Sequence, residues 1–145
     1  MEIAEHPLAE LVGLKTPGGT YRIAGYENWL LRDAVYAEPA EQAHPIAAFV
    51  GAQRGMGCTV AELFVLLGSD INDGPVLAES IIEHHSDLVT EVPYDVEGEV
   101  IGIVRKHGAA LGLFDLVTVR FTLSPHAGDV VATVTNVYAI RRGEQ

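Results

Sequence analysis

The sequence has a single cysteine, Cys58, which rules out an intramolecular disulfide and a CxxC metal knuckle. It is also short of cations. Nine Lys and Arg stand against twenty Asp and Glu, for a formal charge of −11 at pH 7. Non-specific nucleic-acid binding and docking on an anionic membrane both need clustered positive charge, so neither partner is expected. No apolar run approaches the roughly 20 residues that cross a bilayer. The first ten residues, MEIAEHPLAE, lack the basic and apolar regions of a secretory signal. A cytoplasmic protein is the expectation.

What is present fits a globular chain. Apolar residues make up 48% and charged residues 20%, and 145 residues suffice for one domain over 1–145 with a sizeable core. No repeat, low-complexity tract or linker interrupts it. The most apolar stretch is Gly55–Gly68, GMGCTVAELFVLLG. Val60, Leu63, Phe64 and Leu67 keep the i, i+3, i+4, i+7 spacing of a helix face, and Ala61, Val65 and Leu66 fill the other side. A helix that is apolar all round has to be enclosed. Thr59-Val60-Ala61-Glu62 before it reads as a capping box.

The rest of the chain supplies the enclosure. A weakly helical Pro7–Leu14 piece and a Thr16–Gly19 turn precede a short strand candidate at Thr20–Ile23. Glu27–Tyr36 has helical spacing, and Pro39 and Pro45 break the chain after it. Ile46–Gln53 is compatible with helix or strand. After the polar turn Ser69–Pro75, four strands are expected: Val76–His85, Val96–Lys106, Asp115–Leu123 and Val130–Ile140. Gly98 and Gly102 mark bends or bulges in the second of these. In the third, Val117, Val119, Phe121 and Leu123 alternate inward. The prediction is an α+β domain in which an antiparallel sheet wraps around a central buried helix at about 59–67.

Helix, loop, buried helix and four long antiparallel strands is the element order of the hot-dog fold. In GMGCTVAELFVLLG, SDINDGPVLAESIIEHH and the strands EGEVIGIVRKHG, LFDLVTVRFTL and GDVVATVTNVYAI, the sequence resembles the MaoC-like (R)-specific enoyl-thioester hydratases and dehydratases. HPIAAFVGAQRGMG is similar to the N-terminal dehydratase-type branch of that family. The resemblance covers residues 8–142. It implies an acyl thioester of CoA or of an acyl carrier protein as ligand, no cofactor, and a dimer joining two sheets edge to edge, either a homodimer or a heterodimer with another hot-dog protein. A catalytic member would be a hydro-lyase.

Catalytic members carry GDxNPxH after the first helix, where the Asp and His handle a water and the α-carbon of the thioester. The corresponding stretch here is YAEPAEQAHP, residues 36–45, without the Gly-Asp pair. Glu38 and His44 stand six apart, so Glu for Asp plus one inserted residue restores a carboxylate–imidazole pair; Glu41 and His44 form an i, i+3 alternative. On this reading His44, Glu38 and Glu41 are the catalytic candidates. The amides of Gly55, Met56, Gly57 and Cys58 would hold the thioester carbonyl, and Arg54 would meet a phosphate or pair with an acidic neighbour. The departure from the motif supports a second reading, a non-catalytic subunit that pairs with a catalytic MaoC-like chain. A third is a thioesterase using Glu62, which the capping box opposes. No metal site is expected. His84 and His85 are adjacent and point to opposite faces of a strand, and Asp70, Asn72 and Asp73 lack the spacing of a calcium loop and read as a turn.

Overall fold

The computed structural model describes residues 8–142. A five-stranded antiparallel sheet runs in the order β1-β3-β4-β5-β2, with β1 Gly19–Tyr21, β2 Val76–His84, β3 Tyr94–Gly108, β4 Gly112–Pro125 and β5 Ala132–Arg141. Three helices precede the long strands: α1 Gly25–Ala34, α2 Ala47–Gly55 and α3 Val60–Leu66. This is the expected α+β hot-dog arrangement. The weakly helical N-terminal piece is a single 3₁₀ turn at Ala9–Leu11, and Pro7 lies outside the described residues.

The four long strands form where alternation predicts them. Val117, Val119, Phe121 and Leu123 are fully buried on one face of β4. The register slips between Val100 and Gly102, which places a bulge beside one of the two glycines singled out. At the other, Gly98, an added Cβ would stand 2.7 Å from the Phe121 ring, so that glycine is needed for packing. The final strand begins two residues later than expected, at Ala132.

Two expectations change. The helix at 60–66 forms, but it is not the enclosed one. It buries Leu63 and Phe64, with Leu67 just beyond its end, and leaves Val65 64% exposed. The ambiguous stretch before it, α2, is the helix laid across β1, β3, β4 and β5. Its sheet-facing residues are Ala47, Ala48, Gly51, Ala52 and Gly55, all buried. They are small because the backbones lie close together. An added Cβ on Gly51 would come within 2.6 Å of Tyr21 and one on Gly55 within 2.4 Å of Val96. The second change is in β2, where the register slips between Leu77 and Glu79. Leu77 therefore pairs with buried Tyr138 and shares the face of Ser80, Ile82 and His84 instead of alternating with them.

Candidate functional site

The site begins with α1, a helix held by polar bonds more than by apolar burial. Its one buried residue is Asn28. The Asn28 amide donates to the carbonyls of Ala40 at 2.9 Å and Gln42 at 3.0 Å, and its Oδ1 accepts the His44 backbone N–H at 3.0 Å. One turn on, Arg32 donates from Nη1 to the Glu38 carbonyl at 3.1 Å, and from Nε and Nη2 to the Gln42 carbonyl at 3.0 and 2.8 Å. The prolines keep this loop out of regular structure, so its carbonyls need side-chain donors. Two residues of α1 supply them, and the loop is fixed from 38 to 44.

His44 stands at the end of that loop, half-buried, where α2 begins. Its carbonyl accepts the Ala47 N–H at 2.8 Å, and its Nδ1 accepts the Ile46 N–H at 3.1 Å. The His44 side chain thus closes the turn through Pro45 that leads into α2, whose N-cap is Ile46. On the far side, His84 of β2 donates from Nε2 to the Pro45 carbonyl at 3.0 Å. No hydrogen bond joins His44 to the carboxylate of Glu38 or Glu41 among the described residues. Glu38 is exposed, and Glu41 lines an open depression with Trp29, Pro39, Ala40 and Thr90.

The residues assigned to the carbonyl and phosphate have structural partners. Arg54 pairs with Glu27 at 3.3 Å on the surface. The α2–α3 connection lies against the turn before β1, where the Gly18 N–H donates to the Met56 carbonyl at 2.8 Å. Gly57 has φ +86°, and an added Cβ there would meet the Gly18 carbonyl oxygen at 2.3 Å, so backbone contact alone demands glycine. Met56 is fully buried. Burial pushes the Cys58 thiol pKa up, and the nearby Glu62 carboxylate adds to the effect. Glu62 sits in the capping box as read: Thr59 N–H donates to its Oε1 at 2.9 Å, and Thr59 Oγ1 accepts the Glu62 N–H at 3.1 Å. The Thr59 backbone N–H, and after it the Thr59 hydroxyl, stabilise the carboxylate and hold the Glu62 carboxyl below its ordinary range. Asp70 caps a 3₁₀ turn through the Asn72 N–H, as a turn and not a cation loop. No group of three or more His, Cys, Asp or Glu among the described residues is placed to hold a metal.

A polar network was missed by the sequence reading. Ser80 on β2 donates to Oδ1 of fully buried Asn136 at 2.6 Å, and the Asn136 amide donates to the Tyr138 hydroxyl at 3.1 Å. Gln53 of α2 reaches the same hydroxyl at 3.5 Å. Burial raises the Tyr138 pKa, and the two amide bonds oppose the shift. Asn136 shares the inward parity of Val134 and Tyr138 in β5, which is the signal that finds it. Asn28 and Arg32 gave no comparable signal, because their partners are main-chain groups.

No protein-family model and no curated protein matches the sequence. Solved structures do. The truncated HadBC (3R-hydroxyacyl-ACP dehydratase) complex of Mycobacterium tuberculosis superposes with a TM-score of 0.69 at 12% identity, over 89% of this chain and 96% of that one. The ChsH1-ChsH2 complex of the same organism gives 0.65 at 13% identity, over 90% of this chain and 86% of that one. A MaoC-like dehydratase gives 0.65 at 22% identity, over 92% of this chain but 43% of its own. The strand order, the helix laid across the sheet and these superpositions agree: the chain has the hot-dog fold of the MaoC-like dehydratases.

Proposed function

We propose that this chain is a hot-dog subunit of an acyl-thioester dehydratase or hydratase, one that shapes the acyl site of a two-chain assembly without a complete acid–base pair of its own. One observation carries the reading. In the loop where the resembling enzymes hold an Asp–His pair, His44 Nδ1 is engaged by the Ile46 N–H, and no carboxylate bond reaches the ring among the described residues. A histidine acting as general base needs an available nitrogen and a group that fixes its tautomer for that task. Here the Ile46 N–H occupies Nδ1 and leaves the proton on Nε2.

The surface supports an assembly of two chains. β2 is an edge strand, and Val76, Leu77 and Ile81 on it are 53%, 43% and 46% exposed. Val65 and Leu66 add apolar surface on α3. An exposed apolar edge is a pairing site unless it is blunted or covered. The superposed structures named as complexes favour a second, different hot-dog chain as the cover.

The test is loss of enoyl-thioester absorbance by the chain alone and in a mixture with a catalytic hot-dog partner. No turnover is expected alone, and turnover in the mixture should survive His44→Asn with at most a moderate loss. Full activity of the purified chain, abolished by His44→Asn, would overturn the reading. It would establish the second one, a self-sufficient hydratase homodimer. That alternative has its own support: His84 ties the end of β2 to the His44 loop, so a second copy paired on that edge would lie beside the loop.

A further inference from the structure

We propose that the outer face of α1 is a docking surface for a basic segment of a different protein, and that the depression beside Trp29 takes an arginine side chain of that segment. These residues are not those of the β2 edge, and the proposal does not depend on the acyl-thioester reading. It starts from a helix that is inside out. A surface helix ordinarily turns its apolar stripe to the core. In α1 the buried residue is Asn28, while Tyr26, Trp29 and Leu30 are 70%, 55% and 55% exposed. Those three keep the i, i+3, i+4 spacing of one helix face. Large apolar side chains gathered on one exposed face mark an interaction surface.

Beside that face, Trp29 lines an open depression of about 500 Å³ with Gly25, Pro39, Ala40, Glu41 and Thr90. Its walls are fixed in advance. Asn28 and Arg32 hold the carbonyls of Glu38, Ala40 and Gln42, the Ala43 N–H donates to the Leu88 carbonyl at 2.9 Å, and the Gly25 N–H donates to Glu91 at 2.7 Å. A site that needs no ordering loses less free energy on binding.

Charge decides what enters. Arg22 is paired with Glu91, Arg54 with Glu27, and Arg32 gives its donors to main-chain carbonyls. The side chains of Asp33, Glu38 and Glu41 make no hydrogen bond or ion pair among the described residues. An indole and an unpaired carboxylate lining one depression suit a planar guanidinium, which stacks on the first and forks onto the second. A second copy of this chain would bring the same carboxylates and another −11 of charge to the contact. An anionic membrane would be repelled in the same way. The occupant is therefore a basic segment of a different protein, with apolar residues beside its arginine to cover Tyr26 and Leu30.

Trp29 is the single tryptophan of the chain, so its fluorescence reports on the depression directly. The full chain is titrated with a short acetylated, amidated peptide that sets one arginine among leucines and serines. The comparison peptide carries citrulline, the uncharged near-isostere, in place of arginine. The arginine peptide should shift the Trp29 emission saturably. Citrulline in the peptide, or Glu41→Gln in the protein, should each weaken binding roughly tenfold, the worth of one charge-assisted hydrogen bond. Glu41→Gln should keep the melting temperature, because the carboxylate has no bond to lose. Equal binding of the two peptides, or no saturable response, would overturn the proposal. Butylguanidinium binding as tightly as the peptide would overturn it too, by making the depression a site for small cations. So would a change in the sedimentation of the chain alone on Leu30→Lys, which would give the face to a second copy.

Discussion

Asp115 is a carboxylate with no exposure at all, clasped by two guanidinium groups. Arg105 binds it through Nε and Nη2 at 3.0 and 3.2 Å, and Arg142 binds it through Nε at 2.7 Å. Arg142 then spends its other two nitrogens on the Leu67 and Gly68 carbonyls, at 2.9 and 2.8 Å. The orphan carbonyls ending α3 are therefore satisfied by a side chain from just beyond the last strand, held in place by Asp115. Removing one member of such a buried set leaves uncompensated charge, which costs about 3–5 kcal/mol. Asp115→Ala should lose that much stability in urea unfolding, whereas Arg22→Ala, at the exposed pair with Glu91, should lose under about 1 kcal/mol. Asp115 was legible in principle. It holds the inward parity of Val117 and Val119, and a charge at an inward position demands a partner. The partners were not legible, since Arg142 sits 27 residues further along the chain. His44 was legible as a residue of interest from its loop and its proline, but the atom that matters, Nδ1, is committed by a bond that sequence spacing does not reveal.

Among the elements, α3 shows how local and tertiary signals divide. Its start is written in four residues, Thr59 to Glu62, and forms as read. Its depth is not written there, because an apolar composition does not say which of two neighbouring helices the sheet will hold. Ala47, Ala48, Gly51 and Ala52 carry little hydrophobic signal, yet their small size lets α2 take the inner place. The capping box also makes a prediction about acid. The folded Glu62 carboxyl has a pKa below its unfolded value, so its contribution is fully present above the unfolded value and is lost as pH falls through the folded one. Thr59→Ala removes the hydroxyl from that arrangement and should cost about 1 kcal/mol at neutral pH. The deficit should narrow as the pH is lowered through the acid range, which urea melts at a series of pH values would measure. β2 gives the opposite lesson. Its strand character was plain from VLAESIIEHH, but the bulge beside Ala78 exchanges the faces of its first residues and leaves no trace in the alternation.

For the whole molecule, the exposed edge of β2 is the surface on which the proposed assembly rests. Val76, Leu77 and Ile81 lie along an edge whose main-chain groups face outward, and pairing with another chain would satisfy both the apolar surface and the backbone. Ile81 is 46% exposed and opposite Thr135, so a charge there disturbs little inside the chain. Ile81→Lys should therefore leave the melting temperature of the isolated chain nearly unchanged while shifting the sedimentation of its mixture with a hot-dog partner from a two-chain to a one-chain species. An unchanged sedimentation coefficient would place the contact elsewhere. No helix among the described residues is long and apolar enough to cross a membrane.

The close seating of α2 on the sheet has a consequence for how such a molecule can vary. At Gly51 and Gly55 even one methyl group lands on neighbouring atoms, and at Gly57 it lands on backbone. The interior is a wedge with no slack, so it cannot be hollowed gradually into a container for a longer guest. On the proposed acyl-thioester reading, room for a different ligand would have to be gained or lost along the outer side of α3 and the rim of β2. In the proposed two-chain assembly those surfaces are shared with a second chain, so a change of partner would redraw the cavity while every residue of this sequence stays the same.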